Sequence, residues 1–427
     1  MITLILFGSL AILLLLNIPI AVSLGLASVF AIVFSGLGIP LTVIPQRIFT
    51  SIDSFPFMAI PFFMLSGSLM ETGGISRRLI NFAKSLVGAL PGGLGIIAVV
   101  ASAFFGAISG SNAATVAAIG GIMIPAMIKE KYAKDYACAV AASAGTLGVV
   151  VPPSVPMITY GVISGVSIGT MFLAGIMPAL LMVLTLSGTI MFIANKHNLP
   201  REKVSFKELW KSFIDAILAF LMPVIVLGGI YGGIFTPTEA AAVACVYSLI
   251  VTLLIYREIK VKDLYGIIIN AGQSSAIVFF VIATSSAFSW LLTAQRIPDA
   301  IASSILGISN NTIVILVLIN ILLLILGVFL ETNAIILLVT PMLLPIAAKI
   351  GLDPLLLGII MVVNTSVGML TPPMALNIVI ASGIGKISIE DVSKKVVPFL
   401  VVLIIDILIL TYIPDIVLFL PRIFGKI

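Results

Sequence analysis

The sequence predicts an all-α polytopic membrane protein built from two inverted-topology repeats. Three observations carry this. Of the 427 residues, 61% are apolar and only 9% are charged, and mean hydropathy is +1.30. Several apolar runs exceed the roughly 20 residues that span about 30 Å of hydrocarbon. A pattern of glycines, prolines and small polar residues also occurs twice, about 220 residues apart.

Soluble domains carry about 25% charged residues, so a soluble fold could not cover this much apolar surface. In lipid, backbone polar groups must be satisfied internally, and the long runs therefore read as helices. Residues 2–35, 216–235, 238–256, 266–293 and 397–420 are the clearest; 135–164, 169–194 and 354–382 are interrupted by Gly and Pro. The first run lacks a basic flank and a small-residue cleavage site, and reads as a retained first helix. Cys138 and Cys245 fall in predicted helices and read as small buried hydrophobes rather than a disulfide.

The repeat is collinear. Gly106-Ala107-Ile108-Ser109-Gly110-Ser111-Asn112-Ala113 matches Gly327-Val328-Phe329-Leu330-Glu331-Thr332-Asn333-Ala334. Leu147-Gly148-Val149-Val150-Val151-Pro152-Pro153 matches Val367-Gly368-Met369-Leu370-Thr371-Pro372-Pro373. Pro125, Gly165 and Pro178 match Pro345, Gly385 and Pro398, and Asn17 to Ala21 more weakly resembles Phe235 to Glu239. The division is 1–195 for the first repeat, 196–236 for an amphipathic cytoplasmic arm with a connecting helix, and 237–427 for the second repeat.

Loop charge sets orientation. One set of loops holds Arg77, Arg78, Lys84, Lys129, Lys131, Lys134, Lys196, Arg201, Lys203, Lys207, Lys211, Arg257, Lys260, Lys262, Lys386, Lys394 and Lys395, which is 17 of the 22 basic residues. The positive-inside rule puts this set in the cytoplasm. The net charge of +5 then reflects topology rather than a nucleic acid partner. The path starts with a cytoplasmic N-terminus and one outward helix, and ends with a periplasmic C-terminus. Residues 76–90 form an amphipathic cytoplasmic stretch. The helix at 216–235 has no repeat partner and supplies the odd crossing that inverts the second half. Inverted repeats are a signature of secondary transporters, whose sites lie at discontinuous helices near mid-membrane.

Residues 92–128 and 311–349 are each two apolar arms around a polar tip. Arms of about 17 residues are borderline for spanning, so re-entrant hairpins and full crossings both fit; tips rich in N-capping residues favour the former. Glu331 at the second tip is expensive in hydrocarbon unless satisfied. It reads as a site residue, or alternatively as a solvated helix cap; Gly110 stands at its place in the first repeat. The Pro-Pro pairs at 152–153 and 372–373 remove backbone donors and must unwind the helices at 135–164 and 354–382. Freed carbonyls and neighbouring hydroxyls can ligate a small hard cation, and converging helix N-termini favour an anion. Na+ with a carboxylate is the natural pairing.

These residues resemble the large membrane subunit of tripartite ATP-independent periplasmic (TRAP) transporters, most specifically at Gly233-Ile234-Phe235-Thr236-Pro237-Thr238-Glu239-Ala240-Ala241-Ala242. The resemblance implies an elevator-type, Na+-coupled importer in the bacterial inner membrane, with an outer scaffold and a mobile transport domain carrying both hairpins and both broken helices. It implies organic acid substrates of the C4-dicarboxylate, sialic acid or sugar acid class. The implied partners are a small membrane subunit of the Q type, expected as a separate chain, and a periplasmic substrate-binding protein, besides membrane lipid. Carried over, Ser109, Gly110, Ser111 and Asn112 with Gly145, Thr146 and Gly148 form one sodium site. Thr332 and Asn333 with Thr365, Gly368 and Thr371 form the other. Substrate lies between the tips, near Ser111, Asn112, Pro152, Glu331, Asn333 and Pro372. No organic cofactor is implied.

Other readings are poorer. An enzyme needs an activated nucleophile and a base in the membrane, and the one histidine, His197, sits in a basic loop. A stand-alone sodium/dicarboxylate symporter shares the site but needs no binding protein. Nothing suggests the selectivity ring of a channel. Asp406, deep in the last helix, reads as a contact to the partner subunit or another helix, or as part of an ion path. Glu239 reads as a first-turn helix acid, Asp53 as interfacial, and the arm with Lys207, Trp210 and Lys211 as an interfacial anchor.

Overall fold

The computed structural model describes residues 2–36, 38–197, 205–308, 311–372 and 375–426. Pro373 of the second Pro-Pro pair and Arg201 and Lys203 of the cytoplasmic arm lie outside these residues. Among the described residues helices are the regular structure and no strand occurs, and nine helices are long and apolar enough to cross a bilayer.

The chain opens with α1 (Ile2–Leu15), α2 (Ile20–Ser35) and α3 (Val43–Ile52), followed by a short 3-10 turn and α4 (Ala59–Thr72). The amphipathic α5 (Ile75–Val87) leads to the first hairpin. Its outgoing arm is α6 (Gly93–Ser109); its returning arm is α7 (Asn112–Thr115), a π turn and α8 (Gly121–Lys129). The first broken helix comprises α9 (Lys134–Ala144), α10 (Leu147–Val150) and α11 (Val155–Ser164), followed by α12 (Ile168–His197). The second half holds α13 (Phe206–Tyr231), α14 (Pro237–Leu249), α15 (Val261–Ala294) and α16 (Ile297–Ile308). The second hairpin is α17 (Thr312–Phe329) and α18 (Thr332–Ile350), and the second broken helix is α19 (Pro354–Gly368) and α20 (Leu376–Gly385). The chain closes with α21 (Ile389–Tyr412) and α22 (Pro414–Ile423).

Two groups of helices emerge from the packing. An outer group joins α1 to α2, α2 and α3 to α15, α4 to α14, and α13 to α5 and α14. An inner group joins the hairpins to the broken helices and these to α12 and α21. At the α4–α14 seam, the Ser66 and Ser248 hydroxyls lie 2.7 Å apart, so small residues both allow close approach and bond across it. At the basic end, Glu258 accepts from Arg78 at 2.9 Å and Arg77 at 2.8 Å, and the Arg78 guanidinium lies 3.7 Å from the centre of the Tyr256 ring. That cluster ties α5 to the loop before α15.

The run at 2–35, expected as one helix, is two. Asn17 takes a left-handed φ of 61° and Pro19 follows, which ends α1 and restarts the chain in α2. Leu4 and Ile5 of α1 line a groove with Phe30 and Phe34 of α2, so the helices run antiparallel. The helix expected at 216–235 without a partner stands to α14 as α1 stands to α2. Pro19 and Pro237 open the second helix of each pair. An antiparallel pair returns Ile2 to the side of Gly36, whereas the cytoplasmic N-terminus was expected from a single outward helix over 2–35.

Two smaller differences follow from helix continuity. Lys207, Trp210 and Lys211, expected on a separate arm, lie on the first turns of α13, with Trp210 60% exposed. The span expected at 397–420 breaks at Ile413, before Pro414. Glu239 closes a capping box: it accepts from the Thr236 amide at 2.8 Å while Thr236 Oγ1 accepts from the Glu239 amide at 3.3 Å. Both cysteines are buried and free.

The antiparallel α1–α2 pair has a direct test. In a chain whose buried cysteines are replaced, Thr3→Cys and Leu41→Cys should react with an impermeant thiol reagent from the same side of the membrane. Reaction from opposite sides would mean a single crossing before residue 41.

Candidate functional site

The first tip is built by backbone before side chains. Gly110 takes a φ of 59°, which ends α6 and turns the chain. Ser111, half-buried, caps the returning arm by accepting from the Ala114 amide. Thr115, one turn on, donates to the Ser111 carbonyl at 2.8 Å and lies 3.1 Å from the Ser109 hydroxyl. Gly148 of the broken helix packs against this carbonyl: a Cβ there would overlap the Ser111 oxygen and lie 2.6 Å from Thr115 Oγ1. Gly110 packs on the other side of the break, where a Cβ would lie 3.3 Å from the Pro153 carbonyl. Gly145 leaves room for Val116. Ser109, Gly110, Ser111, Gly145 and Gly148 are thus gathered at one tip-and-break junction, with Pro152 buried beside it.

Asn112 joins this junction to the other half. Its Oδ1 accepts from the Val149 amide at 3.1 Å, and its Nδ2 donates to Ser366 Oγ at 2.8 Å. Ser366 in turn donates to the Thr146 carbonyl at 2.7 Å. Thr146 and Ser366 are equivalent under the 220-residue offset, so the two broken helices touch at matching positions. The Thr146 carbonyl, left free by the break in a sequence reading, already has one donor.

The second junction is built differently. Gly327 of α17 packs against the Cα of Gly368, where a Cβ would lie at 2.9 Å, and against the Thr365 carbonyl at 3.0 Å. The Thr365 hydroxyl donates back to Met361 within its own helix at 2.7 Å. Thr332 reaches the break through sulfur, with Oγ1 3.7 Å from Met369 Sδ; Asn112 Nδ2 lies 3.4 Å from the same sulfur. Asn333 was grouped in sequence with Thr365, Gly368 and Thr371. Its side chain instead accepts from Thr159 of α11, in the first half, at 3.4 Å. Each tip asparagine therefore reaches the broken helix of the opposite half. Thr371 is half-buried and Pro372 exposed at the second break.

Glu331 precedes α18 in the N-cap position, without capping through its side chain. Asn333 Nδ2 donates to its Oε1 at 3.4 Å. The residue is exposed at the second tip. Helices α7, α11, α18 and α20 all begin around the tips and breaks, and their N-termini favour negative charge.

Several residues here, Ser366 among them, were missed as site residues in sequence. Thr115 had a signal, its i+4 spacing from Ser111. Ser154 stands at the N-cap position of α11 beside Gly110, and its buried hydroxyl has no hydrogen-bond partner among the described residues. Thr159 and Met369 act across the halves, which no local pattern reveals. Asp406 lies outside the site: it is buried and accepts from Thr185 of α12 at 2.6 Å, the helix contact that was one of its readings.

Known proteins share this architecture. The family model described as "Tripartite ATP-independent periplasmic transporter, DctM component" matches residues 7–416. An isethionate TRAP transporter permease of Oleidesulfovibrio alaskensis is 45% identical over 97% of this chain, which spans 66% of that longer protein. The C4-dicarboxylate TRAP transporter large permease of Rhodobacter capsulatus is 38% identical over 99% of both chains. The sialic acid TRAP transporter large permease of Vibrio cholerae is 38% identical over 96% of both. The crystal structure of the Alcanivorax borkumensis YdaH transporter shares the fold, with a TM-score of 0.62 at 14% identity over 87% of this chain and 88% of that one. The family model and the similar permeases establish that the chain belongs to the DctM component family of tripartite ATP-independent periplasmic transporters.

Proposed function

We propose that the chain is the sodium-coupled permease of an organic acid importer, with substrate bound between the two hairpin tips. The observation that carries this is the meeting of both tips and both breaks at one place, with Glu331 exposed among them. An acid anion beside Glu331 is repelled unless a cation offsets the carboxylate, so the site's own charge favours cation coupling. Sodium suits the carbonyls and hydroxyls of Ser109, Gly110, Ser111, Thr146 and Gly148, and those of Thr332, Thr365, Gly368 and Thr371. Asn112 and Asn333 then hold the junctions in register, each spanning to the opposite half.

The substrate class rests on the relatives, named for isethionate, C4-dicarboxylate and sialic acid. A periplasmic binding protein delivers the anion, and a small membrane subunit completes the permease. The inner helix group is the moving part of an elevator and the outer group its scaffold. The repeats are α1–α12 and α13–α22, with α13 the equivalent of α1. Each half then crosses an odd number of times, which inverts the second without an extra helix. Keeping the basic loops cytoplasmic places both termini outside.

Reconstitution with candidate binding proteins and a panel of organic acids tests the reading; uptake by the chain alone would favour the stand-alone symporter. Potassium in place of sodium should abolish uptake, and unchanged uptake would remove the coupling. Glu331→Gln should lower initial uptake by about tenfold or more, equivalent to about 1.4 kcal/mol, with membrane assembly intact; near-normal uptake places Glu331 outside the site. Gly148→Ala should cost about 1–3 kcal/mol through overpacking and abolish uptake. Gly121→Ala, with nothing within 4 Å of its Cβ, is the control. Equal thermal stability and uptake for the two variants would refute the close approach.

A further inference from the structure

A cavity lies at the basic end of the inner group, away from the tips. It is a cleft of about 630 Å3 between α9, α12 and α21. Lys131, Lys196, Lys394 and Lys395 line it, and no carboxylate does among the described lining residues. Lys394 pairs with Glu390 at 3.0 Å and Lys395 lies 3.9 Å from Asp135; Lys131 and Lys196 have no ion pair among the described residues. Asp391, the next acid on α21, is held by Ser388. Positive charge is therefore in excess.

Beneath the lysines the wall is apolar. Phe192 is 75% exposed along it, beside Ile193 and Pro398. Tyr136 also lines the cleft, its ring packed between Tyr132 and Phe399. Its hydroxyl is buried and has no hydrogen-bond partner among the described residues. Such a cleft makes two demands. Its apolar wall, facing the bilayer between spanning helices, takes an acyl chain. Its rim takes an anion at headgroup depth. A single molecule meets both.

We propose that this cleft binds one anionic phospholipid, its phosphodiester on Lys131, Lys196 and the Tyr136 hydroxyl and one acyl chain along Phe192 and Ile193. The lipid contacts the end of the first hairpin, the start of the first broken helix, and α12 and α21. It thereby fastens four elements of the inner group at their basic end. The inference needs a chain that crosses the bilayer and does not depend on sodium coupling or the identity of the substrate.

Native mass spectrometry of the delipidated protein in a neutral detergent tests it. Phosphatidylglycerol, phosphatidylcholine with the same chains, and free glycerol phosphate are the probes. Phosphatidylglycerol should be retained at this site at least about tenfold more tightly than phosphatidylcholine, since each lysine near a headgroup contributes roughly a fivefold step. Lys131→Asn with Lys196→Gln should weaken phosphatidylglycerol by roughly thirtyfold or more and leave phosphatidylcholine unchanged. Both lysines are exposed, and asparagine tolerates the left-handed φ of 65° at position 131. Tyr136→Phe should weaken retention without altering the melting temperature. Equal retention by the double variant and the parent would overturn the site. Equal retention of the two lipids would overturn its charge selectivity. Displacement by glycerol phosphate at the lipid's own concentration would replace the lipid with a soluble anion and refute the proposal.

Discussion

One side chain holds the centre of this protein together. Asn112 stands at the first residue of a returning arm, where a helix N-terminus has amides to spare. Its Oδ1 takes the Val149 amide of the first broken helix, and its Nδ2 reaches Ser366 of the second. Ser366 then closes onto the Thr146 carbonyl. A break inside a membrane-spanning helix leaves backbone groups unpaired where no water can reach them. Here two backbone groups of the first break, the Val149 amide and the Thr146 carbonyl, are satisfied by one asparagine and by one serine of the second broken helix. Removing either leaves a buried group unpaired, at about 1–3 kcal/mol.

The rest of the inner group follows from that contact. The tips must approach the breaks closely, so glycine stands wherever backbone meets backbone. Gly148 meets the Ser111 carbonyl and Gly327 meets Gly368. The two halves solve the same problem with different chemistry. The first uses a hydroxyl cluster of Ser109, Ser111 and Thr115. The second uses the Met369 sulfur and leaves a carboxylate, Glu331, exposed at its tip. The outer group has simpler packing, with a serine seam between α4 and α14 and an arginine cluster around Glu258.

Much of this was legible in sequence because it is written in residues with few structural alternatives. A Pro-Pro pair cannot continue a helix. Seven matched positions at nearly constant spacing set one hairpin against the other. Glu331 drew notice because a carboxylate in an apolar run is costly. Other features left no local mark. The split between α1 and α2 turns on the left-handed Asn17, inside a run as apolar as a single span. Asn333 looked like a partner of Thr365 because they share a half; in three dimensions it belongs to Thr159. Ser366 and Met369 matter only because the halves interlock. The lysine cleft was visible as loop charge, but its depth needed three helices placed side by side.

The central claim is that Asn112 and Ser366 act as one brace between the halves. A double-mutant cycle on thermal stability measures this most directly, using Asn112→Ala, Ser366→Ala and the pair. The brace predicts a coupling energy of about 1 kcal/mol or more, with the double variant little worse than either single one. Strictly additive losses would contradict it, and would mean that the two broken helices are held together by packing alone.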